Sequence, residues 1–535
     1  MREIRRSAKA FLFFIRPLHF PNSKSLFRKF SLSPCKCTNR YTIFVIYRTV
    51  YVIFREVPMR PNHIYHVFPL GALRNVADGV ISNASTNHVP YRNIRVLTSL
   101  IPHLQSLRAD SILLGPVFKS ETHGYDVTDM YQLDPRLGNN EDLKQMVRDF
   151  HDAGFHVFFD AVWNHSSRHH FAYRDLREKG QNSPYAGWYR NPRFNTPNLC
   201  GDSFTVDCWA GFQELPAFNL RNPEVERELI HCAEYWMDEF GIDGIRIDAA
   251  EDMDLDFLRH LATACHQKRA DFWMMGEVVF GDPRRWLEVG LNSVTNYQTY
   301  KSCWSSLNDG NMFELAYNLN QFFDDKSGTC KGTRLQLFNE NHDTNRIYSQ
   351  LKNKQDNFVQ HLLFYTMPGV PTIYYGEEFG LEAIKGDCDD WNLRPSMHIE
   401  QGHIRFDNYP KSVSRQSTNS TDKENLLSEI RHLAGVRLDC DALRDGGYQQ
   451  EFVHSQQLAF WRTHQNGDAL VLINLQDAPV QFEIDLRRYF TRTPQMNSLK
   501  NLRDLLSNDF IKISNGKITV IIPPKWGRIL VPSGT

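Results

Sequence analysis

The chain has 535 residues, 41% of them hydrophobic and 23% charged, with no low-complexity tract, the make-up of a globular enzyme. A formal charge of −1 gives no reason to expect nucleic acid or an anionic membrane as partner. Ten dispersed cysteines, without a CxxC pair or a His-rich zinc spacing, argue against a disulfide framework and a structural zinc site.

The average hides an asymmetry. Residues 1–58 carry twelve Lys and Arg against two acids, Glu3 and Glu56, which leaves 49 bases against 60 acids in the remainder. The basic start contains the apolar run FLFFI, shorter than the roughly 7–15 residues of a secretory core. IFVIYRTVYVIF (43–54) is also too short, and holds Arg48, where a membrane span needs about twenty apolar residues. The favoured reading places 1–58 outside the working protein, which then starts at Met59; an organelle transit peptide or a membrane-associated tail are the alternatives. From residue 63, strand-like apolar runs alternate with amphipathic helical stretches, the pattern of a parallel sheet with crossover helices. HIYHVFPLG is the first strand, IRVLTSLIPHLQSL a helix and SILLGPVF the second strand. NEDLKQMVRDFHDAG is a helix with an Asn cap and a closing Gly154, and HVFFDAVWNH the third strand. PEVERELIHCAEYWMDEFG opens on Pro and stops at Gly241. GIRIDAA, DFWMMGEV, SVTNYQ, RLQLFNENHD and VPTIYYGEE complete eight strands in order.

The connection at 166–221 is far longer than an ordinary loop of about 2–6 residues and is rich in Asn, Pro, Gly and aromatics, so it reads as an inserted small domain. After a last helix near 424–438, FVHSQQLAFWRTH, ALVLINL, VQFEIDL and KITVIIPPKWGRILV alternate as antiparallel strands do. The expected fold class is α/β: a (β/α)₈ TIM barrel at 59–165 and 222–440, an insertion after strand 3 at 166–221, and a C-terminal antiparallel β-sandwich at 441–535.

Four short segments, DAVWNH, GIRIDAAED, GEVV and FNENHD, each end a strand-like run and carry a carboxylate, a histidine or both. Barrels build their sites where strands end, so Asp160, His165, Arg246, Asp248, Glu277, His342 and Asp343 would converge. Facing carboxylates with an arginine and histidines suit glycosidic-bond chemistry better than metal or phosphate chemistry.

These segments closely resemble the four motifs of the α-amylase superfamily of glycoside hydrolases (family 13), and HGYD (123–126) and LPAFN (215–219) resemble two further family marks. The resemblance covers about 63–535, and LPAFNLRNPEV is most similar to the cyclomaltodextrinase, neopullulanase and oligo-glucosidase branch. It implies a retaining mechanism with Asp248 as nucleophile, Glu277 as acid/base and Asp343 as the third acid, gripping sugar hydroxyls. It implies substrate binding by Tyr125, His165, Arg246, His342, Arg394 and Asp390 or Asp389, with Asp160 and Asn164 as structural residues near the site. Arg246 is expected to keep Asp248 ionised. No organic cofactor is implied. Asn164 resembles a calcium ligand of many relatives, but a full oxygen set is not evident, so no metal site is assigned.

The duller readings stand beside these. Asn182, Asp202 and Asp207 read as loop-solvating groups, and His169 and His170 as surface histidines. Trp163, Trp188, Trp209 and Phe218 serve either sugar stacking or core packing. Cys200 and Cys208 could bridge, but reduced thiols in a cytoplasmic protein are favoured. Glu251 and Asp252 stand where the ordinary α-amylase has a Lys-His pair, which argues against simple starch cleavage. The expected partner is an α-glucan oligosaccharide, with no membrane span and the oligomeric state left open. A glucosyltransferase or a sucrose- or maltose-type isomerase shares the same carboxylates, and a non-catalytic glucan-binding or partner subunit is the remaining alternative.

Overall fold

The computed structural model describes the backbone of 41–46 and 49–54, and residues 59–75, 91–386, 390–400, 403–406, 420–487 and 499–533. Tyr41–Ile46 and Thr49–Phe54 pair antiparallel within a unit of their own, Met1–Arg60; the rest of the reading of 1–58 lies outside the described residues. Asp389 lies outside them as well.

Pro61–Thr535 is a second unit. Its eight barrel strands are β1 (Ile64–Val67), β2 (Ser111–Leu114), β3 (His156–Ala161), β4 (Gly244–Ile247), β5 (Trp273–Gly276), β6 (Ser293–Val294), β7 (Gln336–Phe338) and β8 (Val370–Tyr374). All neighbouring pairs are parallel, in the order β6-β5-β4-β3-β2-β1-β8-β7. A parallel bridge from Thr295 to Gln336 joins the two ends of that row. Both faces of such a sheet are covered, which is why these strands read as unbroken apolar runs rather than alternating ones. The helices start and stop where polar side chains satisfy their ends: Asn139 and Asp142 form a reciprocal capping box for Asn140–Asp152, and Asn222 caps Pro223–Glu239. The sixth strand is shorter than SVTNYQ suggests. Asn296 Oδ1 accepts the Thr299 N–H, so the chain turns into the helix Tyr297–Asp309 directly after the Thr295 bridge.

The insertion departs furthest from its sequence reading. Asp202 is no loop-solvating group: it is buried, and its carboxylate accepts from Arg168, Tyr173 and Asn198 and pairs with Arg177. Those partners hold it below the usual carboxylate range against the opposing effect of burial. His170 is likewise no surface group. It is buried between Phe171, Phe218 and Tyr189, and burial pushes its pKa down to about 3. His169 is the exposed one, paired with Glu121. Trp163, Trp188 and Phe218 are core residues, while Trp209 is half-buried. Cys200 and Cys208 are free thiols.

The C-terminal strands are β9 (Gln449–Val453), β10 (Gln457–Arg462), β11 (Ala469–Asn474), β12 (Val480–Asp485), β13 (Asn501–Asp504), β14 (Phe510–Ser514), β15 (Lys517–Ile522) and β16 (Trp526–Pro532). They pair antiparallel in the order β9-β10-β11-β16-β13-β14-β15-β12. Alternation splits them between two cores. Leu458, Phe460, Val471 and Ile473 join the barrel's core; Ala459, Trp461, Leu470 and Leu472 face a second one with Phe482 and Ile518. Among the described residues no helix is long and apolar enough to cross a membrane.

Candidate active site

The parallel ladder runs on past β4 and β5. Asp248 N–H donates to Ala161 O at 3.0 Å and Glu277 N–H to Ile247 O at 2.8 Å, so the two carboxylates leave the rim of adjacent strands. Gly276 makes room for this: a Cβ there would sit 2.9 Å from Leu291 Cδ1 and 3.1 Å from Ala250 Cβ.

Arg246, two residues before Asp248 on β4, is the hub. Its Nη1 donates to Asp160 Oδ2 at 2.6 Å and to Asp248 Oδ1 at 3.3 Å, and its Nη2 lies 2.9 Å from Glu277 Oε1. Asp160 and Arg246 are register partners on β3 and β4, and both are buried. Arg246 thus favours the ionised form of Asp248, as expected, but its one guanidinium is shared among three carboxylates. Burial first, then the Glu277 charge, lift the Asp248 carboxyl well above its usual range, with Arg246 opposing. Glu277 is fixed on its other oxygen, where Oε2 accepts the Ala249 N–H at 3.0 Å.

A second cluster hangs from the end of β7. Arg394 Nη2 donates to Asp343 Oδ1 at 2.8 Å, and His342 Nε2 lies 2.9 Å from Asp343 Oδ2. Burial alone would raise Asp343, but His342, Arg394 and Arg246 together hold it well below the usual range. Tyr125 links the clusters: its hydroxyl donates to Asp160 Oδ2 at 3.0 Å and lies 2.5 Å from His342 Nε2, with the two rings stacked. Asp390 stands at the edge, 3.6 Å from Lys385 and 3.8 Å from Arg394.

His165 is nearby but turned to the backbone. Its Nε2 lies 3.0 Å from the Tyr125 carbonyl, burial pushes its pKa down to about 4, and its ring stacks on Trp209, which stacks in turn on exposed Phe212. Asn164 is buried with Oδ1 unpartnered among the described residues. Among the described residues, no group of three His, Cys, Asp or Glu is placed to hold a metal ion.

Several site residues escape a motif reading. Tyr297 opens its helix with its hydroxyl 3.0 Å from Asn341 Nδ2 and 3.4 Å from Glu277 Oε1. Phe68 stacks on His342 beneath the Arg394 guanidinium. Glu251 accepts the N–H groups of Val279 and Phe280 at 2.8 Å each, shaping the loop after Glu277, whereas Asp252 is exposed. Glu251 and Asp252 are marked in the sequence by their place after Asp248, and Tyr297 follows the strand-like SVT at the barrel rim, whereas Phe68 carries no signal.

An eight-stranded parallel barrel with facing carboxylates at its rim and an antiparallel C-terminal sheet defines a glycoside hydrolase of amylase type. The model of the alpha amylase catalytic domain matches residues 93–432, and the chain belongs to that family. It is 26% identical over 430 residues to a cyclomaltodextrinase of Thermoanaerobacter pseudethanolicus, covering 77% of this chain and 69% of the relative. It is 31% identical over 404 residues to a maltogenic alpha-amylase of Bacillus acidopullulyticus, covering 72% of this chain and 63% of the relative. In fold it is similar to a cyclic alpha-maltosyl-(1→6)-maltose hydrolase from Arthrobacter globiformis, with TM-score 0.69 and 22% identity over 88% of this chain and 98% of that one.

Proposed function

We propose that the chain is a cytoplasmic, retaining α-glucoside hydrolase of short maltooligosaccharides or cyclodextrins. The observation that carries this reading is the single buried guanidinium of Arg246, which touches both Asp248 and Glu277 at the ends of adjacent strands. In the reacting state Glu277 holds a proton and Asp248 does not. Glu277 delivers that proton to the glycosidic oxygen while Asp248 attacks the anomeric carbon, giving a β-glycosyl ester and a free sugar. Glu277, now a carboxylate, takes a proton from water, which cleaves the ester and restores the α configuration. Asp343, kept anionic by His342 and Arg394, binds ring hydroxyls and stabilises the developing positive charge. Tyr125, His342, Arg246, Arg394, His165 and Asp390 surround the cleaved sugar, and Asp160 fixes Arg246 from below. The reaction as drawn requires no organic cofactor. The free thiols of the seven described cysteines support a reducing compartment.

Product analysis of the full chain with β-cyclodextrin and maltotriose, beside Asp248→Asn, tests the assignment. Glucose and maltose from the unmodified protein alone support it. Longer oligomers would show that transfer competes with water, and no Asp248-dependent product would overturn it.

A further inference from the structure

Under the catalytic rim lies a small cavity of about 10 Å³, the size of one water molecule, whose lining includes His66 of β1, Arg246, Gln336 of β7, Glu340, His342 and Thr372. Three polar atoms of that lining are buried and without a partner among the described residues: His66 Nε2, Gln336 Oε1 and His342 Nδ1. The His66 and His342 rings meet edge to face with centroids 5.3 Å apart, and the Gln336 amide nitrogen donates to Thr372 Oγ1, which leaves its carbonyl oxygen for the cavity.

Donor accounting on His342 decides what the cavity needs. An ionised Asp343 only accepts, so at 2.9 Å the His342 Nε2 must carry a proton. That Nε2–H is also directed at the Tyr125 oxygen, whose own proton goes to Asp160. When the ring carries that one proton, Nδ1 is a bare acceptor, and Gln336 Oε1, also without a partner among the described residues, has no proton to give it. A single water within reach of all three atoms would accept from His66 Nε2–H and donate to His342 Nδ1 and Gln336 Oε1, the usual three bonds of a buried water.

We infer that His66 and Gln336 are positioning residues for the reaction, acting through one buried water that holds His342 in its Nε2–H tautomer against Asp343 and Tyr125. Burial keeps His66 itself neutral, with a single ring proton to supply. Neither residue touches substrate. The inference rests on the hydrolase reading for its kinetic consequence, but its structural part stands apart from turnover.

The test therefore pairs structure with kinetics. A high-resolution crystal structure of the unmodified protein should show one ordered water within hydrogen-bond distance of the three atoms, and ¹⁵N NMR should show the His342 proton on Nε2. In Gln336→Met and His66→Leu the Nδ1 tautomer should gain population, and kcat/KM on maltotriose should fall by about tenfold or more. His66→Gln, which keeps an N–H donor, should recover most of that loss. An empty cavity in the crystal, an unchanged tautomer in both variants, or equal losses in His66→Leu and His66→Gln would each overturn the inference. If the enzyme shows no turnover at all, the water and the tautomer still decide it.

Discussion

The Ala249 N–H donates to Glu277 Oε2 at 3.0 Å from a residue with φ of +47°. The residue that follows one reacting carboxylate thus holds the other, and it does so from the left-handed region. That conformation costs a non-glycine residue about 1–2 kcal/mol and is worst for β-branched side chains. Ala249→Val should lower thermal stability further and reduce kcat, because a backbone relaxing out of the left-handed region turns away the N–H that fixes Glu277. Calorimetry and initial rates check this, and an unchanged kcat would remove Ala249 from the account.

Asp248 attacks only as a carboxylate, and burial and the Glu277 charge raise its pKa. Activity should therefore fall as pH drops through that raised value. Glu277→Gln removes one of the raising charges. With α-glucosyl fluoride, whose leaving group needs no acid, the acidic limb of kcat/KM should move to lower pH in this variant. A limb that stays in place would mean the two carboxyls do not interact.

Removing Arg246 acts in the opposite sense. Arg246→Met leaves Asp160, Asp248 and Glu277 facing each other without the cation they share, so the same acidic limb should move up. Breaking a buried ion pair from one side costs about 3–5 kcal/mol, which denaturant titration would read.

Asp202 makes a separate prediction for the insertion. Its carboxyl is held below the usual range, so its contribution is present above the unfolded value of about 3.9 and is lost as pH falls through the lower folded value. Acidification should make residues 166–221 sensitive to limited proteolysis while the barrel resists. Asp202→Ala, which leaves Arg168 and Arg177 without their common partner, should do so at neutral pH.

The barrel was legible because strands covered on both faces must be apolar throughout, and its site because each reacting group follows such a run. GIRI before Asp248 and WMMG before Glu277 show both properties. What stayed hidden depends on partners distant in sequence or on local competition. Asp202 reads as a polar loop residue until Arg168, 34 positions away, closes on it. Asn296 ends β6 early because its side chain caps the next helix. Asn501–Asp504 and Phe510–Ser514 are missing from the sequence reading, since NLRD and FIKIS are short strands with little apolar content on one face. The threefold sharing of Arg246 is a matter of side-chain reach, which spacing along the strand does not disclose.

The most direct test of the central claim is to trap the covalent intermediate. The full chain would be incubated with 5-fluoro-α-glucosyl fluoride, digested with pepsin and analysed by mass spectrometry. The account predicts one fluoroglucosyl unit on the peptide containing Gly244–Ala250, attached at Asp248 and missing in Asp248→Asn. A label on another residue, or a β-configured sugar as the first hydrolysis product, would contradict it.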